Sequence, residues 1–100
     1  MITGKQRAYL RKLSHGLEPI FQIGKDGITD ALLKGLDEAL TKREIIKVHI
    51  LETALLETRT ACDETAEKLS AEPVQAIGNK FVIYRKSDEE KYRKIELPKR

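Results

Sequence analysis

The stretch Glu44-Ile45-Ile46-Lys47-Val48-His49-Ile50-Leu51 constrains the fold more than any other part of the 100-residue chain. Its residues alternate, with Ile46, Val48 and Ile50 on one face and Ile45, Lys47, His49 and Leu51 on the other, which is the period of a β-strand. The domain is therefore built on a sheet, and the helical spacings on either side of this strand must pack against it.

Upstream, Thr3-Gly4-Lys5-Gln6 fits a capping box, so a first helix is predicted from residue 4 to the His15-Gly16 pair. At 100° per residue Gln6, Tyr9, Leu10 and Leu13 form its core arc, and Lys5, Arg7, Arg11, Lys12 and His15 sweep the other side. A strand is expected over 19–23, with Pro19 tolerable only at its start. Gly24-Lys25-Asp26-Gly27 follows, then Thr29 as N-cap of a second helix over 30–42, in which Gly35 implies close packing.

Residues 52–58 carry no period, and a third helix is expected over 59–70 with Cys62, Thr65, Ala66 and Leu69 inward. Residues 73–77 and 80–86 read as strands around Gly78-Asn79, a two-residue turn that pairs them antiparallel. The charged stretch 87–100 is expected to be partly ordered, docking through Tyr92, Ile95 and Leu97. The order is αβαβαββ. Strands separated by helices pair in parallel, the hairpin adds an antiparallel element, and the result is a mixed four-stranded sheet with three helices. One domain over 1–97 is expected, with 98–100 as a tail.

Nineteen Lys and Arg against sixteen Asp and Glu leave a formal charge of +3, unevenly spread. Residues 1–17 contain Lys5, Arg7, Arg11 and Lys12 and no acid, whereas 51–72 contain six acids against Arg59 and Lys68. A positive end favours an anionic partner such as nucleic acid, and the acidic segment alone is most simply a solvated face. No secretory h-region is visible, no apolar run approaches the roughly 18 residues of a membrane span, and Cys62 has no second cysteine. The acid-free start reads better as a helix than as a transit peptide, so the expected setting is the cytoplasm, without a membrane partner.

Catalysis finds no support: His15 and His49 are the only histidines, and no carboxylate pair is placed by a motif. One Cys and two distant His offer no zinc spacing, so neither metal, cofactor nor small-molecule substrate is expected. Gly24-Lys25 fails the Walker pattern, because Asp26 stands where Ser or Thr is required. What remains is a G-x-x-G loop between a strand and a helix N-terminus, where free backbone amides suit phosphate and Lys25 adds charge. As a bare string it is more often a plain turn, and Asp26 could serve that turn by bonding its own backbone.

Taken together, Thr3-Gly4-Lys5-Gln6-Arg7, Leu10-Arg11, Leu13-Ser14-His15, Ile23-Gly24-Lys25-Asp26-Gly27-Ile28-Thr29, Glu44-Ile45-Ile46-Lys47-Val48 and Val74 to Arg85 resemble the CRM family, the chloroplast RNA splicing and ribosome maturation domain. The likeness is strongest to its stand-alone bacterial YhbY-type members. It spans residues 2–86 and reaches the Leu97-Pro98 ending. The resemblance implies a two-layer sandwich, a mixed four-stranded sheet on three helices, similar to the C-terminal domain of translation initiation factor three. It also implies RNA binding, with ribosomal RNA of the precursor large subunit as target. By position, Gly24, Lys25, Asp26 and Gly27 match the family loop, Lys5, Arg7, Arg11 and Lys12 its basic first helix, and Arg85 the Arg closing its last strand. Asp26 and His49 depart from the basic pattern, which implies weaker phosphate affinity. The expectation is a monomeric, non-enzymatic RNA-binding protein; the alternative is a module that docks a basic ribosomal protein through the acidic segment 51–72.

Overall fold

A computed structural model describes residues 2–100. Helix α1 covers Gly4–Ser14, strand β1 Phe21–Ile23, helix α2 Asp30–Arg43, strand β2 Ile45–Ile50, helix α3 Thr58–Lys68, strand β3 Glu72–Ile77 and strand β4 Lys80–Tyr84. Single 3-10 turns occupy Glu52–Ala54 and Glu90–Tyr92. The sheet order is β1-β2-β4-β3; β1 runs parallel to β2, and β4 lies antiparallel to both of its neighbours. The expected element order, mixed sheet and hairpin are thus present.

Local chemistry sets the boundaries. The Thr3 hydroxyl accepts from the Gln6 amide at 3.1 Å and Gln6 accepts from the Thr3 amide at 3.0 Å, the reciprocal capping box. Thr29 caps α2 by accepting from Leu32 N at 3.1 Å. Strand β1 begins at Phe21, two residues later than expected, because Pro19 has no N–H for the ladder; Ile20 N donates to the Lys47 carbonyl at 3.0 Å just before it. At Gly35 a Cβ would lie 3.0 Å from Phe21 Cε1, so the glycine is what lets α2 close onto β1.

Strand alternation places two cores on opposite faces of the sheet. Ile46, Val48 and Ile50 join Ile23, Phe81 and Ile83 beneath α2 and α3, where Leu36, Leu40, Ala61, Cys62, Ala66 and Leu69 complete the larger core. On the other face Ile45, Val82, Tyr84 and Val74 pack against Leu10 of α1 and against Ile95 and Leu97 of the C-terminal segment. The layering therefore differs from a sheet with all three helices on one side: α1 covers part of the second face, because β2 opens with two adjacent apolar residues, Ile45 and Ile46, that point opposite ways.

Helix α1 also buries a narrower stripe than its hydropathy predicts. Gln6, Leu10 and Ser14 are buried, while Tyr9 and Leu13 are exposed. Two polar residues win the inner positions through specific partners: Gln6 Nε2 donates to the Pro98 carbonyl at 2.9 Å, and Ser14 Oγ donates to the Arg11 carbonyl at 2.6 Å. Cys62 is a buried small residue, as expected, and burial, with Asp63 adding to it, pushes its thiol up to about 12.

The C-terminal segment is more firmly held than a partly ordered tail. Glu44, fully buried at a positive φ of 67° between α2 and β2, accepts from three backbone amides: Ser87 at 2.9 Å, Lys94 at 2.8 Å and Ile95 at 3.1 Å. Ser87 Oγ adds a 2.6 Å bond to the Thr41 carbonyl. Ile95 and Leu97 pack as anticipated, and Tyr92 is half-buried beneath the Lys91 ammonium, 5.1 Å from its ring centre.

Candidate nucleic-acid interface

The loop after β1 is a tight turn, closed by Gly27 N donating to the Gly24 carbonyl at 2.9 Å. Gly27 has φ +70°, a conformation that a side chain makes costly, so the last position of the turn requires glycine. Gly24 has no such need. A Cβ there would meet only Leu51 Cδ1 at 3.8 Å, an ordinary contact, and its absence keeps one wall of the groove low.

That groove is lined by Gln22, Gly24, Lys25, Asp26, Gly27 and Thr29 with Leu51 and Thr53. Lys25 and Asp26 are exposed, and neither amide finds an acceptor among the described residues. The Asp26 carboxylate makes no hydrogen bond in the turn, which removes the backbone-bonding explanation for it. The positive end of α2 behind the loop is partly offset by Asp30 in the first helical turn. The loop thus presents two backbone amides without acceptors among the described residues, with two carboxylates close by.

Register extends the loop onto the sheet. Gln22 pairs with His49 across β1 and β2, His49 with Lys80 across β2 and β4, and Lys80 with Ile77 across β4 and β3. These four side chains form one row on the face that α1 leaves open, spanning roughly 14 Å at about 4.8 Å per strand. The next row is Lys47, Val82 and Gln75. Among the described residues, neither Lys47 nor Lys80 has a carboxylate within 4.0 Å. The Asn79 amide and the His49 ring nitrogen Nε2 lie 2.9 Å apart, tying the hairpin to β2.

The C-terminal end of α1 borders the second row, with Ser14 Oγ 3.5 Å from Gln75 Oε1. Lys5 and Lys12 point outward and Arg11 flanks the helix; none of the three forms an ion pair among the described residues. The acidic side chains Asp63, Glu64 and Glu67 lie on α3, across the sheet from this face, and Glu64 holds Lys68 at 3.2 Å. Three of the six acids of the 51–72 segment thus lie across the sheet from the α1 cations, while Glu72 stays beside Arg7 on β3.

Two residues placed on the interface by family position are drawn inward. Arg7 Nε donates to the Pro73 carbonyl at 3.0 Å, and its guanidinium lies 3.8 Å from Glu72, bracing α1 against β3. Arg85 is only 18% exposed: Nη1 donates to Asp37 Oδ1 at 2.7 Å and to the Leu69 carbonyl at 2.9 Å, and Nη2 to the Asp37 carbonyl at 2.9 Å and Thr41 Oγ1 at 3.1 Å. All four terminal N–H groups are consumed by α2 and the end of α3. Lys47 and Lys80, in contrast, are reached only once strand pairing is known; the alternation of β2 puts Lys47 off the main core face but does not say that this face is open.

Among the described residues no group of three His, Cys, Asp or Glu side chains could hold a metal ion, and no helix is long and apolar enough to cross a membrane. Comparison with known proteins agrees with this architecture. The chain is 42% identical over 98 residues to "Probable RNA-binding protein YqeI" of Bacillus subtilis, covering 98% of this chain and all of that one. It is 31% identical over 99 residues to an "RNA-binding protein" of Haemophilus influenzae, covering 99% and 97% of the two chains. The solution structure of SAV1595 from Staphylococcus aureus, "a putative RNA binding protein", superposes with a TM-score of 0.70 at 45% identity, over 98% of this chain and all of that one. The model of the CRS1 / YhbY (CRM) domain matches residues 2–85, and the chain belongs to that family.

Proposed function

We propose that this chain is an RNA-binding protein without catalytic activity, and that it holds phosphates along the strip running from the Gly24–Gly27 loop through Gln22, Lys80 and Lys47 to the end of α1. The carrying observation is that this strip is continuous, bears lysines with no carboxylate partner among the described residues, and lies across the sheet from the acidic helix. The names of its relatives support the same reading. On the family resemblance we take the target to be ribosomal RNA in the precursor of the large subunit, bound by a monomer in the cytoplasm. Lys5, Arg11, Lys12 and Lys25 supply phosphate contacts; Arg7 and Arg85 maintain the fold that presents them.

The loop provides the test. Because Lys25 and Asp26 are exposed and Asp26 bonds nothing in the turn, changing either charge leaves the fold intact, within about 0.5 kcal/mol for a surface substitution. Lys25→Ala is expected to weaken binding to a structured RNA several-fold at fixed low salt, and Asp26→Lys to strengthen it, because an anion beside the phosphate is replaced by a cation. Titrations paired with melting curves check this. Unchanged affinity in both folded variants would remove the loop from the interface.

A further inference from the structure

Beside α1 the open face of the sheet holds a cleft of about 250 Å³ lined by Lys47, Gln75, Ile77, Lys80 and Val82. Its apolar surface is Ile77, left 65% exposed on the edge strand, with Val82 buried beneath it. Its sides are cationic, from Lys47 and Lys80, and no acidic residue lines it. Gln75 contributes an amide held only loosely, its Oε1 lying 3.5 Å from Ser14 Oγ, so its nitrogen remains available to a ligand. The volume falls below the roughly 300 Å³ at which pockets for drug-sized ligands begin and is enough to seat a fragment about the size of one ring system.

We propose that this cleft takes one unpaired nucleotide of the bound RNA, the base lying on Ile77 with its edge at Gln75, and the flanking phosphates at Lys47 and Lys80. Single-strand sites combine cations for the backbone with a side chain that covers the face of a base, an aromatic ring in most of them; here the exposed aliphatic side chain of Ile77 takes that position between the two lysines. The cleft joins the phosphate strip directly, because Lys80 stands in one row with His49 and Gln22, and Gln22 also lines the groove of the Gly24–Gly27 loop. In a duplex both faces of every base are covered by stacked neighbours, so only an unpaired base can lay a face on Ile77. The cleft therefore selects a strand that is unpaired where it crosses the sheet. This inference rests on the RNA-binding reading and adds to it the kind of RNA preferred at one subsite.

Ile77 allows the subsite to be tested without altering charge. Binding of octauridylate and of a 16-base-pair RNA duplex is measured at one low salt concentration for the wild type, Ile77→Ser and Ile77→Leu. The proposal expects Ile77→Ser to lose about tenfold in octauridylate affinity, with Ile77→Leu near wild type and duplex affinity unchanged within about twofold. In a labelled-protein titration octauridylate should shift the amide signals of Gln75, Ile77 and Lys80. Equal losses on both RNAs, no loss on either, or a wild type that binds the duplex alone would each overturn the subsite while leaving the RNA-binding reading standing. A wild type that binds neither RNA would overturn both.

Discussion

Glu44→Ala is expected to lower the free energy of unfolding by about 3–5 kcal/mol, since it strips the acceptors from three backbone amides, two of them part-buried, at about 1–3 kcal/mol for each unsatisfied group. The Ser87, Lys94 and Ile95 amides would lose their partner together, and the segment carrying Ile95 and Leu97 would loosen from Leu10 and Tyr84. Glu44→Gln keeps the size but turns one acceptor into a donor facing an N–H, so it should cost roughly half as much. Thermal and urea unfolding measure both.

The same residue gives a pH dependence. Burial pushes the Glu44 carboxyl up, but the amides of Ser87, Lys94 and Ile95 together with Arg93 outweigh it and hold the pKa below its ordinary value of 4.5. With the folded pKa lowered, the stabilisation is fully present above the unfolded value and is lost as pH falls through the folded one. The stability gap between wild type and Glu44→Gln should therefore be constant near neutrality and narrow below about pH 4.5. A gap that widens on acidification would show that Glu44 is protonated in the fold.

Arg85→Ala should be the second most damaging change, lowering stability by about 2–4 kcal/mol. It leaves the Leu69 and Asp37 carbonyls and the Asp37 carboxylate without the guanidinium that ties α2 to the end of α3. Discounting the Asp37 ion pair for the exposure of that carboxylate leaves most of the cost with the two carbonyl bonds and Thr41. Below its melting temperature the variant should bind RNA like the wild type, because the guanidinium has no free terminal donors. A stable protein with weakened RNA binding would return Arg85 to the interface.

Much of this architecture is legible in the sequence, where signals are local. The period of Ile45 to Ile50, the Thr3 and Thr29 caps and the Gly78-Asn79 turn all act within an element or at its end, and Gly35 marks a close approach without naming Phe21 as its partner. What escapes is long-range. Glu44 reads as the start of a strand, yet its partners lie 43 to 51 residues away, and those of Arg85 up to 48. Tyr9 and Leu13 look like core by hydropathy, but the buried stripe is Gln6, Leu10 and Ser14, with Gln6 held by the Pro98 carbonyl 92 residues away. The loop and the first helix are visible as candidate sites, while the Lys47 and Lys80 rows between them exist only once β2, β4 and β3 are paired.

The central claim, that exposed cations on one face hold RNA phosphates, is tested most directly by the salt dependence of binding in the wild type and in a triple variant, Lys5→Gln with Arg11→Gln and Lys12→Gln. These three side chains carry charge without ion pairs among the described residues, so the variant should lose at most about 1.5 kcal/mol and stay folded at the temperature of the titration. Wild-type affinity for a structured RNA should fall steeply from about 50 to about 200 mM salt, and the triple variant should bind more weakly, with a slope shallower by up to about 0.9 for each phosphate it no longer neutralises. A wild-type affinity that does not change with salt, or a folded triple variant with the wild-type slope, would contradict the account.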